Sequence, residues 1–327
     1  MPRIFSGIQP SGELHIGNYL GAVKNWVRLQ KAHPSIFCIV DYHAITVAYE
    51  PEQLRARRRD MAVSLLAAGI DPEVAQLFVQ SDVREHTELA WVFNTVTPLG
   101  ELERQTQFKD KAQRQEGVPA GLLNYPVLQA ADILLYRADL VPVGEDQVQH
   151  LELSRVIARR WNAQFAGGDE FFPEPQPLLT PTRRIMGLDG QAKMSKSLGN
   201  TVGLLEESDA VWAKLRPAVT DPKRIKRTDP GTPEVCNIFH LHQAFSTPER
   251  VQTVAVNCRT AGWGCVDCKR ALFDSMEAEL TPIRARAREL RERPERVDDA
   301  LADGAARCRA IARETMAEVR ERMGFDR

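Results

Sequence analysis

Ile4-Phe5-Ser6-Gly7-Ile8-Gln9-Pro10-Ser11-Gly12-Glu13-Leu14-His15-Ile16-Gly17-Asn18 takes an apolar, β-rich run through a Gly/Pro turn into a helical pattern. Ile4–Ile8 reads as a short strand and 15–30 as the helix after it. The first turn of a helix leaves backbone N–H groups without intrahelical partners, so such a turn suits a phosphate. Gly17 has no side chain, which lets a flat base or a ribose approach the backbone. His15 can donate to a phosphate oxygen. Neither G-x-x-x-x-G-K-[ST] nor G-x-G-x-x-G occurs in the segment, which excludes the P-loop and the dinucleotide fingerprint.

Strands and helices alternate outward from this unit. Strands are expected at 35–41, 76–80 and Leu140–Val143. Helices are expected at 51–69, 85–94, 121–137 and 147–162, with Pro126 kinking the third. Strands alternating with helices predict an α/β fold, a Rossmann-like doubly wound parallel sheet whose ligands bind beyond the carboxyl ends of its strands. The pattern changes near Val219. Residues 221–233 carry three prolines and the run Lys223-Arg224-Ile225-Lys226-Arg227, read as a linker with a solvated basic loop. Beyond it only helical periodicity remains. The expected division is therefore a catalytic domain over 1–220 and a C-terminal all-helical region over 221–327.

The 327 residues are 43% hydrophobic and 27% charged, which excludes a disordered chain. A net charge of −1 excludes RNA binding by overall charge alone, so any basic surface is local. No apolar run reaches the ~18–20 residues of a membrane span, and the N-terminus lacks the blocks of a signal peptide. The expectation is a soluble, cytoplasmic protein that does not engage a membrane. Arginine outnumbers lysine 33 to 10, a bias that makes each lysine informative. Four of the ten fall in two short segments, Lys109 with Lys111 and Lys193 with Lys196. A lysine is a flexible point charge that can follow a moving phosphate, whereas arginine favours a fixed fork.

The second of those segments is Lys193-Met194-Ser195-Lys196-Ser197, a short polar loop whose two lysines and two hydroxyls could wrap a leaving pyrophosphate. His15-Ile16-Gly17-Asn18 resembles the HIGH signature of class I aminoacyl-tRNA synthetases, with Asn18 in place of the last histidine, and residues 193–197 match the KMSKS signature verbatim. Segments 4–18, 37–46, 100–111 and 141–150 are similar to bacterial tryptophanyl-tRNA synthetases, and the resemblance covers essentially the whole chain.

That resemblance implies an ATP-dependent ligase that joins L-tryptophan to tRNA(Trp) through a tryptophanyl-adenylate, with Mg²⁺ as cofactor and a homodimeric assembly. It implies that Gln9, Pro10, Ser11, His15, Gly17 and Asn18 contact ATP from the first loop. Gly144, Glu145 and Asp146 would hold the ribose and neighbouring groups, and Ile185 would pack on adenine with Arg184 close by. Lys109, Lys111, Lys193, Ser195 and Lys196 would act on the triphosphate in catalysis, with Met194 and Ser197 completing the loop. For tryptophan it implies Asp132 as acceptor for the indole N–H. Phe5, His43, Val141 and Val143 would form apolar walls, Tyr125 and Gln147 would hold the ammonium, and Gln129 would make one wall more polar.

On the residues alone the tryptophan side stays open. Tyr125, Gln129, Asp132 and Tyr136 are spaced 4, 3 and 4 apart, hence on one helix face. That face either lines a site or is a polar stripe turned to water. Two other readings of the whole chain differ in function: a tyrosyl-tRNA synthetase on the same architecture, or a synthetase paralogue with a binding or regulatory role.

Of six cysteines, Cys38 lies in an apolar strand and Cys308 on an Arg-rich helix, and neither is expected to react. Cys236, Cys258, Cys265 and Cys268 form C-x21-C-x6-C-x2-C. In a cytosolic chain four close thiols argue for metal rather than disulfides. The spacing is similar to that of a subset of the resembled family carrying [4Fe–4S], with one residue fewer in the first gap. An iron–sulfur cluster is expected, with zinc the alternative.

Overall fold

The computed structural model describes residues 1–106, 108–109, 117–144, 147–179, 185–195 and 198–325. Its centre is a sheet of five parallel strands: β1 (Ile4–Ile8), β2 (Ser35–Ile39), β3 (Ala75–Val79), β4 (Leu140–Val143) and β5 (Gln176–Leu179). Their spatial order is β3-β2-β1-β4-β5. The chain winds outward from β1 on one side and then on the other, so β1 and β4 form the switch point at which an open α/β sheet leaves a crevice. The doubly wound architecture is as expected.

Alternation within the strands builds a core on each face. Phe37 and Ile39 of β2 pack with Leu77 and Val79 of β3 beneath Tyr19, Trp26, Met61 and Leu65. Ile36 and Cys38, one residue out of phase, pack with Phe78 on the other face against Val127, Ile133, Leu134 and Trp161. β2 is buried at all five positions, as a strand covered on both faces must be.

Several boundaries differ from expectation for identifiable reasons. The second strand ends at Ile39, and Asp41 opens a short helix, Asp41–Ala44, instead of extending the strand. Its carboxylate is engaged by the Ser81 backbone N–H at 3.0 Å and the Ser81 hydroxyl at 2.6 Å, which ties it to the turn after β3. The helix expected at 121–137 is Ala120–Leu134, with Pro126 inside it, and Arg137 turns left-handed at φ 48°. The helix after β1 is continuous in space but changes pitch, with Tyr19–Val23 a π-helical turn between Ile16–Asn18 and Lys24–Leu29. β5 escapes a sequence reading because Pro177 interrupts its pattern, and its position at the sheet edge tolerates that proline.

Helices Asn237–Phe245, Pro248–Arg259, Cys265–Glu292 and Pro294–Met323 make the C-terminal region helical, as expected. The last returns to β3 and covers that edge of the sheet, where unpaired strand groups would otherwise face solvent. Gly304 makes the approach possible: a Cβ there would lie 2.1 Å from the Leu77 carbonyl oxygen. Among the described residues no helix is long and apolar enough to cross a membrane.

Candidate active site

The crevice at the switch point is a cavity of about 330 Å³. Strand β1 contributes Phe5 and the loop after it Gln9, and the short helix after β2 contributes His43. Helix Ala120–Leu134 contributes Tyr125, Gln129 and Asp132, while β4 and the residues after it contribute Val141, Val143, Gly144 and Gln147. All eight side chains expected around tryptophan therefore line one cavity, together with Gln9 and Gly144 from the nucleotide set. The β1, β4 and helix segments meet here because parallel strands deliver their carboxyl ends to one side of the sheet.

Asp132 sits in that cavity at 1% exposure, so the stripe does not face water. Its Oδ2 accepts from His43 Nε2 at 2.7 Å, and its Oδ1 from Gln80 Nε2 and His86 Nδ1, both at 2.6 Å. Burial pushes the carboxyl upward, but the His43 charge and the His43 and His86 hydrogen bonds outweigh it and hold the group below the usual carboxylate range. An ionised carboxylate accepts only, at about four lone-pair positions. Three are taken, which leaves Oδ2 room for one more donor. Burial raises the Tyr125 hydroxyl to about 12, and it pairs with His150 Nε2 at 3.0 Å.

On the nucleotide side His15 opens the helix. Its Nδ1 accepts from Asn18 N–H at 3.3 Å, and Asn18 Oδ1 accepts from the His15 N–H at 3.4 Å. With Nδ1 an acceptor, the ring proton is on Nε2. A Cβ at Gly17 would lie 2.9 Å from the His15 ring and 3.3 Å from Met194 Cβ, so the two signature segments touch at this glycine. Met194 is buried and its N–H donates to the Ile185 carbonyl at 3.1 Å. Ser195 N–H donates to Asn200 Oδ1 at 2.8 Å, and Asn200 Nδ2 donates to Asp189 at 2.9 Å. Lys193, Gln9 and Ser11 are exposed, whereas Pro10 is buried. Lys109 is not drawn into the main cavity; it lines a separate one of about 370 Å³ with Arg104, Gln149 and Glu152. Lys111, Glu145, Asp146, Arg184, Lys196 and Ser197 lie outside the described residues.

Sequence reading missed Gln80, His86 and Asn200. Gln80 had a usable signal, since it directly follows the last residue of β3 at the sheet's carboxyl edge. His86 and Asn200 carry none, because their partners are fixed by packing.

Cys236, Cys258, Cys265 and Cys268 line one small cavity with Arg224, Ile238, Val254 and Trp263. Burial raises the Cys236 and Cys258 thiols and takes Cys268 to about 12. Among the described residues no group of three or more His, Cys, Asp or Glu side chains has metal-holding geometry. The basic run is not wholly solvated: Arg224 turns inward to the Trp263 carbonyl at 2.6 Å, while Ile225 is 86% exposed. Cys38 and Cys308 are fully buried.

A His-Ile-Gly-Asn helix start touching the Lys-Met-Ser segment beside the switch point of a parallel sheet defines the class: a class I aminoacyl-tRNA synthetase. The sequence model of tRNA synthetases class I (W and Y) matches residues 1–281, and the chain belongs to that family. It is 54% identical to the tryptophan–tRNA ligase of Deinococcus radiodurans, with 99% of each chain covered. It is 44% identical to that of Thermotoga maritima, again with 99% of each covered. The crystal structure of tryptophanyl-tRNA synthetase from Campylobacter jejuni complexed with ADP and tryptophan superposes with a TM-score of 0.89 at 36% identity, covering 98% of this chain and 99% of that one. An archaeal tyrosyl-tRNA synthetase from Archaeoglobus fulgidus, 23% identical over 88% of this chain and 90% of that one, shares the fold at a TM-score of 0.69.

Proposed function

We infer that the protein ligates L-tryptophan to tRNA(Trp) in two steps: adenylate formation from ATP with release of pyrophosphate, then acyl transfer to the terminal ribose of the tRNA. The observation that carries this is the buried Asp132 carboxylate, kept ionised, with one acceptor position left in a cavity of substrate size. An indole N–H is donor only and matches it. ATP–pyrophosphate exchange tests the inference: tryptophan drives it and tyrosine does not. Exchange driven equally by tyrosine would refute the assignment, and no exchange with either would favour a paralogue with a binding or regulatory role.

In the first step the tryptophan carboxylate attacks the α-phosphorus in line and the pyrophosphate oxygen leaves with the bonding pair. Tyr125 and Gln147 would hold the ammonium, Phe5, His43, Val141 and Val143 the ring, and Gln129 would lend one wall its polarity. Gln9, Pro10, Ser11, His15, Gly17, Asn18, Gly144, Glu145 and Asp146 would hold the nucleotide, with adenine against Ile185 near Arg184. Lys109, Lys111, Lys193, Ser195 and Lys196, flanked by Met194 and Ser197, would neutralise charge on the departing phosphates, the electrostatic work on which phosphoryl chemistry depends. Mg²⁺, when bound to the nucleotide, supplies further charge neutralisation there. No side chain acts as a covalent nucleophile.

The helical region over 221–327 is assigned to the tRNA anticodon side, with 1–220 as the catalytic domain, and the active form to a cytoplasmic homodimer. The Cys236, Cys258, Cys265 and Cys268 donor set, all sulfur and lining one cavity, supports a metal centre. A [4Fe–4S] cluster would hold three helix ends together there; zinc would do the same without redox chemistry. Iron, sulfide and zinc content of anaerobically purified protein decides between them, and neither metal would refute the centre.

A further inference from the structure

Asp132 is the terminus of a buried hydrogen-bond chain that the reaction itself does not require. Beyond His86, the ring Nε2 pairs with the Tyr136 hydroxyl at 2.8 Å. His86 and Tyr136 are both at 0% exposure, and Tyr136 stacks on Phe5 at 5.6 Å between ring centroids. The direction of the chain follows from its ends. Gln80 Oε1 accepts from the Tyr42 backbone N–H at 3.0 Å, which fixes the amide so that Nε2 faces Asp132 as a donor. An ionised Asp132 likewise demands a proton on His86 Nδ1. A proton on Nε2 alone would set a bare Nδ1 lone pair against the carboxylate at 2.6 Å. With the proton on Nδ1, Nε2 of the neutral ring is left as the acceptor that the Tyr136 hydroxyl can donate to, so that pairing favours the same tautomer.

We propose that His86 and Tyr136 are positioning and specificity-determining residues, which hold Asp132 as an oriented, accept-only carboxylate and so tune the site to a substrate ring bearing an N–H. This rests on the reading of Asp132 as acceptor for the substrate ring and deepens it. With the chain intact, Oδ1 is saturated by Gln80 and His86, and the substrate donor is directed to Oδ2 beside His43. When the chain is broken the carboxylate can rotate or take up a proton, and the advantage of an N–H substrate over a ring lacking it shrinks. A site built for a substrate N–H discriminates because its own polar group is stranded when the N–H is missing.

The test compares kcat/KM in pyrophosphate exchange for tryptophan and for its benzothiophene isostere, in which sulfur replaces the ring N–H. In Tyr136→Phe and His86→Ala the tryptophan-to-isostere ratio falls by about 10-fold, the size of effect expected for a hydrogen bond to a charged group. The loss appears in KM for tryptophan, with kcat little changed. His86→Asn, which retains a donor near the Nδ1 position, restores most of the ratio. A purely structural defect would depress both substrates alike, and that result would overturn the proposal. Asp132→Asn separates the two levels. A ratio that collapses in Asp132→Asn but stays intact in Tyr136→Phe and His86→Ala refutes the chain alone. A ratio unaffected in Asp132→Asn refutes the acceptor reading and the chain with it. Independently of any variant, ¹⁵N-histidine NMR of the wild-type protein should find a proton on His86 Nδ1, and a ring protonated on Nε2 alone would overturn the proposal.

Discussion

Gly304→Ala adds one methyl group at the point where helix Pro294–Met323 meets the edge strand β3. Helix propensity alone favours the change by about 1 kcal/mol, because glycine loses more backbone freedom than alanine. The structure reverses that sign. The new Cβ would lie 2.1 Å from the Leu77 carbonyl oxygen, 2.8 Å from its carbonyl carbon and 3.1 Å from its nitrogen. All three are main-chain atoms, so no side-chain rotation relieves the contact, and the helix must retreat from the strand by roughly 1 Å. The retreat loosens Ala305, Cys308 and Ala312, which are buried against that face of the sheet. Overpacking of this kind costs about 1–3 kcal/mol, which after the propensity gain of about 1 kcal/mol leaves a net loss of up to about 2 kcal/mol. Denaturant unfolding followed by circular dichroism measures it as a lower midpoint. Ala306→Gly, at an exposed position on the same helix, gives the comparison, losing about 1 kcal/mol through propensity alone. Two chemically opposite exchanges then destabilise in the same direction. A raised midpoint for Gly304→Ala would refute the close approach of helix and strand.

Asn200→Ala removes the acceptor for Ser195 N–H and the donor to Asp189, so kcat for pyrophosphate exchange should fall about 10-fold through misplacement of the loop; an unchanged kcat would contradict the role. Replacing Cys265 and Cys268 together with serine should damage aminoacylation more than adenylate formation, because the thiols lie far along the chain from the signature segments; equal loss of both activities would count against a tRNA-side role. Asp132 is held below its ordinary value of 3.8, against the upward push of burial, by His43 and His86. Its depressed folded pKa contributes stability above the unfolded value, and that contribution is lost as pH falls through the folded one. Wild-type protein should therefore lose stability below pH 3.8 more steeply than Asp132→Asn, as followed by thermal unfolding across pH; equal acid slopes would argue against the assignment.

The two signature segments were legible because each is contiguous in the chain, and a contiguous string carries its chemistry wherever it is placed. The face bearing Tyr125, Gln129 and Asp132 was legible as a face, yet its exposure was not. Helical spacing states which residues share a side and says nothing of what packs against that side. His43, Gln80 and His86 reach Asp132 across separations of 89, 52 and 46 residues. No local pattern announces such a partnership. The basic run at 223–227 shows the same limit, since the inward turn of Arg224 depends on a carbonyl 39 residues away.

The parallel α/β order, the helical C-terminal region and the family could be read directly along the chain, because alternation, helix starts and short motifs are written in neighbouring residues. The ends of β2 and of helix Ala120–Leu134, the covering of β3 by the last helix and the three donors gathered on Asp132 came only with the tertiary structure. Each depends on atoms brought together from distant parts of the chain, where close packing and the need to satisfy buried polar groups select the partner.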